Sequence, residues 1–217
     1  FNEIDNLILS LLPYIDFQGI VPTFRKGKIT LKESAEKLND KKKNFRGLFI
    51  SNTFKMLQIM KNSIRYQDIQ LYNYVNVVND DMQFGALTMK LSDKSIFIAF
   101  AGTDSSIIGW EEDFKMTYLY PGASQKYASI YLNKAVTLMD KKVRVGGHSK
   151  GGNLAICATM NAHFWIRRKV VKINNFDGPG FLKKEIESKE YKKVEPRIKM
   201  YVPKESIIGM LLYSTPN

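Results

Sequence analysis

Gly147-His148-Ser149-Lys150-Gly151 constrains the fold of this chain more than any other stretch, because of what flanks it. Before it runs Lys142-Val143-Arg144-Val145-Gly146, a short strand-like segment with two β-branched residues. After it runs Gly152-Asn153-Leu154-Ala155-Ile156-Cys157-Ala158-Thr159-Met160, an Ala-rich helical segment. The bare G-x-S-x-G pattern is a weak signal, since a chance match somewhere in a chain of this serine and glycine content has a probability of roughly 6%. Strand, pattern and helix together read as a nucleophile elbow, a tight turn that exposes a serine hydroxyl above a helix N-terminus. Glycines suit such a turn because backbone passes close to backbone on both sides of the serine. The free N–H groups of the helix N-terminus favour the negative charge that develops in acyl transfer. The plainer alternative is a βα turn whose glycines serve packing alone.

Length and composition agree with an α/β protein. The 217 residues fit one domain, and 44% hydrophobic with 12% aromatic content supports a packed core. No apolar run reaches membrane-spanning length. No signal peptide is legible, although the chain opens at Phe1 without a Met, and a cytoplasmic location, with peripheral membrane contact, is the expectation. Cys157 is the single cysteine, so no internal disulfide forms, and a small core residue is the expected role. The net charge of +12 reads as a lysine-rich solvated surface, seen in Lys41-Lys42-Lys43, Lys183-Lys184 and Lys192-Lys193, or as attraction to anionic phospholipid. Nucleic acid is not expected as a partner: no zinc-ligand spacing or aromatic RNA-binding signature accompanies the charge.

The chain divides by texture. Ile4, Leu7, Ile8 and Leu11 recur at helical spacing behind Asn2 and stop at Pro13. Thr30-Leu31-Lys32-Glu33 is a capping box, opening a helix with Leu31, Ala35 and Leu38 on one face. A third helix is expected around residues 54–64, with Phe54, Leu57, Met60 and Ile64. Three β segments follow, at 71–78, 84–91 and 95–101, joined by turns short enough for antiparallel hairpins. Ser124 to Met139 reads as helix. Then come the elbow strand, a helix to about Trp165, a strand from Val170 to Phe176, a helix from Phe181 and a strand from Ile198 to Val202. The alternation predicts a mainly parallel sheet covered by helices. The expectation is one α/β domain over residues 1–217, with 1–66 a helical lead-in and 67–217 the sheet core carrying the elbow.

Acyl transfer through serine needs an oxyanion hole, a general base and a group that orients the base. One oxyanion donor is expected from the backbone N–H of Lys150, the residue after the nucleophile. Ile96-Phe97-Ile98-Ala99-Phe100-Ala101-Gly102-Thr103, an apolar strand that breaks at glycine, offers the Thr103 N–H and hydroxyl as the second.

Three segments in order carry a resemblance: Phe100-x-Gly102-Thr103, Trp110-x-x-Asp113-Phe114 and the Gly-His-Ser-x-Gly-Gly elbow. Together they resemble the fungal-type (class 3) triacylglycerol lipases, and Phe176-Asp177-Gly178-Pro179 resembles the F-G-x-P turn of those enzymes. Further segments are similar to a bacterial lipase-like family of the Mbeg1-like type, defined mainly as a domain of unknown function. These are Phe1 to Phe17, Gly102-Thr103-Asp104, Gly109 to Phe114, His148 to Leu154, Asp177 to Phe181 and Ser206 to Leu211. The resemblance implies an α/β-hydrolase fold and a serine esterase or lipase, without fixing a substrate. Ala101 stands where both families usually carry Arg, which leaves the anchoring of this loop open. Ile107, Ile108 and Trp110 fall where the lipases carry a lid, so they would meet an acyl chain or else pack inward.

The acid has two candidates. Asp177 ends the strand after the elbow strand, and Glu205 follows the strand after that. The lipases place the acid at the later position and a glycine where Asp177 stands, which favours Glu205. Asp before Gly-Pro-Gly is also a common turn former. The base is the gap. His148 precedes the nucleophile and faces away from its working side, while His163 lies fourteen residues on, ~21 Å at ~1.5 Å per residue of helix. Hydrolases of this fold supply the histidine after the acid. The expectation is therefore that the histidine lies beyond Asn217, or that the protein is catalytically silent. The reading is hydrolysis of carboxylic esters, lipid-like ones first, through Ser149 and with no metal or organic cofactor. A silent module binding lipid or protein is the main alternative; thioester hydrolysis and acyl transfer use the same triad.

Overall fold

Alternate residues of one strand separate the two cores of this molecule. In β4 (Ile96–Phe100), Ile96, Ile98 and Phe100 enter one hydrophobic cluster, and Phe97 and Ala99 enter another on the opposite face. Every residue of that strand is buried, so its sequence is an unbroken apolar run rather than an alternating one. Each large side chain fully buried in this way contributes about 1.5–3 kcal/mol relative to exposure.

The computed structural model describes residues 1–39, 48–80, 82–103, 114–116 and 118–214. Its sheet has seven strands in sequence order: β1 (Ile29–Thr30), β2 (Gln70–Val78), β3 (Gln83–Lys90), β4, β5 (Val143–His148), β6 (Val170–Phe176) and β7 (Ile198–Tyr201). The first four strands pair antiparallel. From β4 to β7 the pairing is parallel, as the strand–helix alternation requires. With helices on both faces, this is an α/β-hydrolase fold with an antiparallel edge.

One face is covered by α4 (Ala123–Ala135) and α5 (Lys150–Met160), which bring Tyr131, Leu132, Leu154 and Ala158 against the inward residues of β4 and β5. The other is covered by α1 (Glu3–Leu11), α2 (Leu31–Asn39) and α3 (Leu48–Met60). The lead-in is thus the second layer of the fold.

The capping box at Thr30 forms as read, with Thr30 N–H donating to Glu33 Oε2 at 3.0 Å and Glu33 N–H to Thr30 Oγ1 at 3.1 Å. Leu31, Ala35 and Leu38 face inward as expected. The apolar stripe of α1 does so only in part, with Ile8 against that core and Leu7 exposed. Ile4 is 67% exposed, whereas Asp5, Asn6, Leu9 and Ser10 are buried. The buried polar groups have specific partners: Arg65 donates to both Asp5 oxygens at 2.7 and 2.6 Å, Tyr66 donates to Asp5 at 2.6 Å, and Asn6 Nδ2 to Asn174 Oδ1 at 3.3 Å.

Other boundaries shift as well. Ile64 lies outside α3 and is 90% exposed, and Leu138 lies beyond α4. The elbow helix stops at Met160, and α6 (Phe164–Lys169) is separate. Phe181 forms a bridge with Tyr213 before the short α7 (Lys183–Ile186) and α8 (Lys189–Val194). Cys157 is fully buried, as expected of a core residue, and burial pushes its thiol pKa up to about 11.

Candidate active site

At the end of β5 the chain turns sharply into α5, and the residue at the corner is Ser149, with φ 55° and ψ −135°. A positive φ on a residue with a Cβ costs energy and persists only where its surroundings impose it. Here they do. Ser149 N–H donates to the Phe176 carbonyl at 2.9 Å, and the Ser149 carbonyl accepts from Gly152 N–H at 2.9 Å. A Cβ on Gly147 would collide with the backbone of Gly151, and one on Gly151 with the carbonyl of Phe100. The first turn of α5 therefore lies against the ends of both β4 and β5.

Gly102 brings the loop after β4 to the same place. A Cβ there would stand 3.1 Å from the Ser149 Cβ and 2.5 Å from the His148 carbonyl oxygen, so only glycine fits. Thr103, half-buried, follows directly. The side chain of Lys150 is buried and donates to the Gln83 main-chain carbonyl at 2.9 Å.

On the other side of the elbow, β6 ends in register with β5, His148 opposite Phe176. Asp177 comes next, half-buried, also at positive φ (57°), and accepts a hydrogen bond from the Ser206 hydroxyl on Oδ1. Ser206 in turn accepts from Gly209 N–H at 3.0 Å. Asn153 of α5 donates to the Gly180 carbonyl at 2.7 Å, which ties the loop after Asp177 to the elbow helix, and Gly178 N–H donates to Asn175 Oδ1 at 2.8 Å, which ties it to β6. Glu205, two residues before Ile207, is exposed.

The family model described as Mbeg1-like matches residues 60–217, which include every group just described except the N-terminal layer. The chain belongs to the Mbeg1-like family. That family is lipase-like. Among solved structures, a fungal lipase determined as an inhibitor complex, from work on interfacial activation in lipases, is 17% identical with a TM-score of 0.43. The likeness covers 62% of this chain and 59% of that one, so the chain spans about three-fifths of that lipase's length. No curated protein matches the sequence.

In this Mbeg1-like protein, Ser149 lines a narrow cleft of about 30 Å3 with Met116, Pro179, Ile208, Leu211 and Leu212. His148 faces elsewhere. It lines a groove of about 640 Å3 beside α1, together with Asp177, Leu7 and Leu11. Its Nδ1 lies 3.1 Å from the Tyr14 hydroxyl, which also donates to the His148 carbonyl at 3.2 Å. Burial lowers its pKa, and the nearby Asp177 carboxylate partly opposes this. His163 caps α6, with its backbone N–H on Asn133. Neither imidazole shares the Ser149 cleft.

The structure brings the Gly102 loop against Ser149, and it places Asp177 directly after Phe176, whose carbonyl Ser149 N–H meets, with the Asp177 side chain in the His148 groove. Ile107, Ile108 and Trp110 lie outside the described residues. Tyr14, Gln83, Asn153, Asn175 and Ser206 went unread. Only Asn175-x-x-Gly178 carried a local signal, an Asx turn ahead of Gly-Pro-Gly. Among the described residues no three His, Cys, Asp or Glu side chains converge as a metal site needs.

Proposed function

We propose that this Mbeg1-like protein is a serine hydrolase of carboxylic esters, with lipid or other acyl esters as its substrates. The observation that carries this is the strained Ser149 at a parallel strand end, with the Gly102 loop against its Cβ. Ser149 attacks the acyl carbon, and the Lys150 and Thr103 N–H groups hold the oxyanion. Of the two acids, Asp177 is the better supported: it adjoins the elbow and is held by Ser206, whereas Glu205 faces solvent. The base in this reading is a histidine from outside the 217 residues. The reaction asks for no metal or organic cofactor.

The position of the two imidazoles favours a second reading, a silent hydrolase-fold module that binds lipid or a protein partner. Ester hydrolysis by the full-length protein separates the two. On p-nitrophenyl esters of increasing acyl length, turnover is expected, with Ser149→Ala at background. Asp177→Asn should lower kcat by roughly 10³–10⁴, as loss of a triad acid does, and Glu205→Gln by far less. The reverse order would assign the acid to Glu205, and absence of turnover would leave the silent module.

The rim of the cleft supports adsorption to anionic lipid. Phe114, Ile207 and Met210 are each at least 70% exposed on the two segments that supply Met116, Ile208 and Leu211 to the cleft. Such a cluster suits the acyl–headgroup boundary of a membrane, and the +12 net charge attracts anionic headgroups. No helix among the described residues is long and apolar enough to cross a membrane, and contact at a cytoplasmic membrane surface is the form proposed.

A further inference from the structure

We infer that Gln83 and the Lys150 side chain are positioning residues that hold the two halves of the oxyanion hole in register; this rests on the reading of Ser149 as the nucleophile. The starting point is the ladder between β3 and β4. Ala86 pairs with Phe100, and the same register carried three residues further puts Gln83 opposite Thr103. Regular pairing stops short of that point. Ala101 N–H still donates to the Gly85 carbonyl at 2.9 Å, but beyond it the chain must leave the sheet to pass beside Ser149.

A side chain continues what the ladder drops. Gln83, buried, donates from Nε2 to the Gly102 carbonyl at 3.4 Å. The carbonyl of Gly102 belongs to the peptide whose N–H is that of Thr103, so fixing one end of this plane orients the other. Gln83 is itself held from α5. Lys150 Nζ donates to the Gln83 main-chain carbonyl at 2.9 Å and to Oε1 at 3.3 Å, and Ser124 adds a hydrogen bond to the same carbonyl at 3.1 Å. With an ammonium on Oε1, the amide must present Nε2 to Gly102, which settles its orientation.

Lys150 thereby acts twice. Its backbone N–H is one oxyanion donor in the proposed reaction, and its side chain reaches through Gln83 to the peptide that carries the other. Both donors must converge on one oxygen within a few tenths of an ångström, and loop peptides are placed less accurately than strands unless tied. The relay supplies the tie.

Gln83→Glu in the full-length protein tests this. The carboxylate keeps the contact with Lys150 but cannot donate to Gly102, and it repels that carbonyl. A purely structural Gln83 would leave turnover alone whenever the fold is kept. The expected result is a melting temperature at or above that of the parent, a KM within about twofold, and a kcat lowered roughly 10–100-fold, short of the loss of a whole oxyanion donor. Hydrogen exchange at Ala101–Thr103 should quicken at least tenfold. Unchanged kcat and unchanged exchange in a folded variant would overturn the inference. If the parent turns over no ester, the hydrolase reading fails and the exchange rates alone decide: quickened supports the relay, unchanged removes it. If Gln83→Glu does not fold, Gln83→Met, read in the same two ways, takes its place.

Discussion

Ser149 and Asp177 close adjacent parallel strands one hydrogen bond apart, and both sit at positive φ, 55° and 57°. The bond runs from Ser149 N–H to the carbonyl of Phe176, the residue before Asp177. Two neighbouring strand ends each carry a conformation that costs of order 1–3 kcal/mol. Strain of this kind is removed by glycine and kept by alanine. Ser149→Gly should therefore be more stable than Ser149→Ala by about 1 kcal/mol in urea unfolding. Equal stability would mean that the corner is relaxed.

The close approach of α5 to the strand ends makes a second prediction. Gly151→Ala drives a methyl group into the Phe100 carbonyl, with rigid backbone on both sides. It should destabilise by about 3 kcal/mol or more. Gly122→Ala, at the N-cap of α4, meets nothing closer than the Gln125 Oε1 at 3.8 Å and should cost less than about 1 kcal/mol. Chemical denaturation of the two variants side by side checks this, and similar losses would contradict it.

The anchor of α1 predicts a pH dependence. Arg65, Tyr66 and the Asn2 N–H hold the Asp5 carboxyl well below the usual carboxylate range, with the Arg65 hydrogen bonds the largest cause. Because the folded pKa lies below the unfolded one, the stability gained is present above about pH 4 and is lost as pH falls toward the folded value. Arg65→Met should lower stability at pH 7, because it leaves the buried Asp5 carboxylate without its main donor. The gap from the parent should narrow below about pH 4. A gap independent of pH would show that Arg65 acts through packing.

Adsorption to membranes is tested with vesicles. The protein should bind phosphatidylglycerol vesicles more tightly than phosphatidylcholine ones, and binding should weaken as salt rises. Phe114→Ser with Ile207→Ser should weaken it further. Binding indifferent to lipid charge and ionic strength would leave the lysines as a solvated surface.

Most of the site's frame was legible because it is written locally. The apolar run at β4, the glycine pattern at the elbow and the strand Val170–Phe176 each depend on neighbours within a few residues. What was not legible depends on partners far along the chain. The buried face of α1 carries polar residues beside Leu9 because Arg65 and Asn174 satisfy Asp5 and Asn6 across 60 and 168 residues, while Ile4 and Leu7 of its apolar stripe lie exposed. The link between Ser206 and Asp177 spans 29 residues, and that between Lys150 and Gln83 spans 67. Periodicity carries no trace of such pairs, since each residue by itself reads as an ordinary polar position.

Covalent labelling of Ser149 tests the account most directly. A fluorophosphonate probe reacts with a serine only where the hydroxyl is activated and an oxyanion hole receives the phosphoryl oxygen. In the full-length protein the probe should attach at Ser149, as read by mass spectrometry of the peptide that contains it. Ser149→Ala should abolish the adduct, and prior denaturation should do the same. An adduct of equal yield on the alanine variant, or no adduct on the folded parent, would contradict the assignment of Ser149 as a nucleophile.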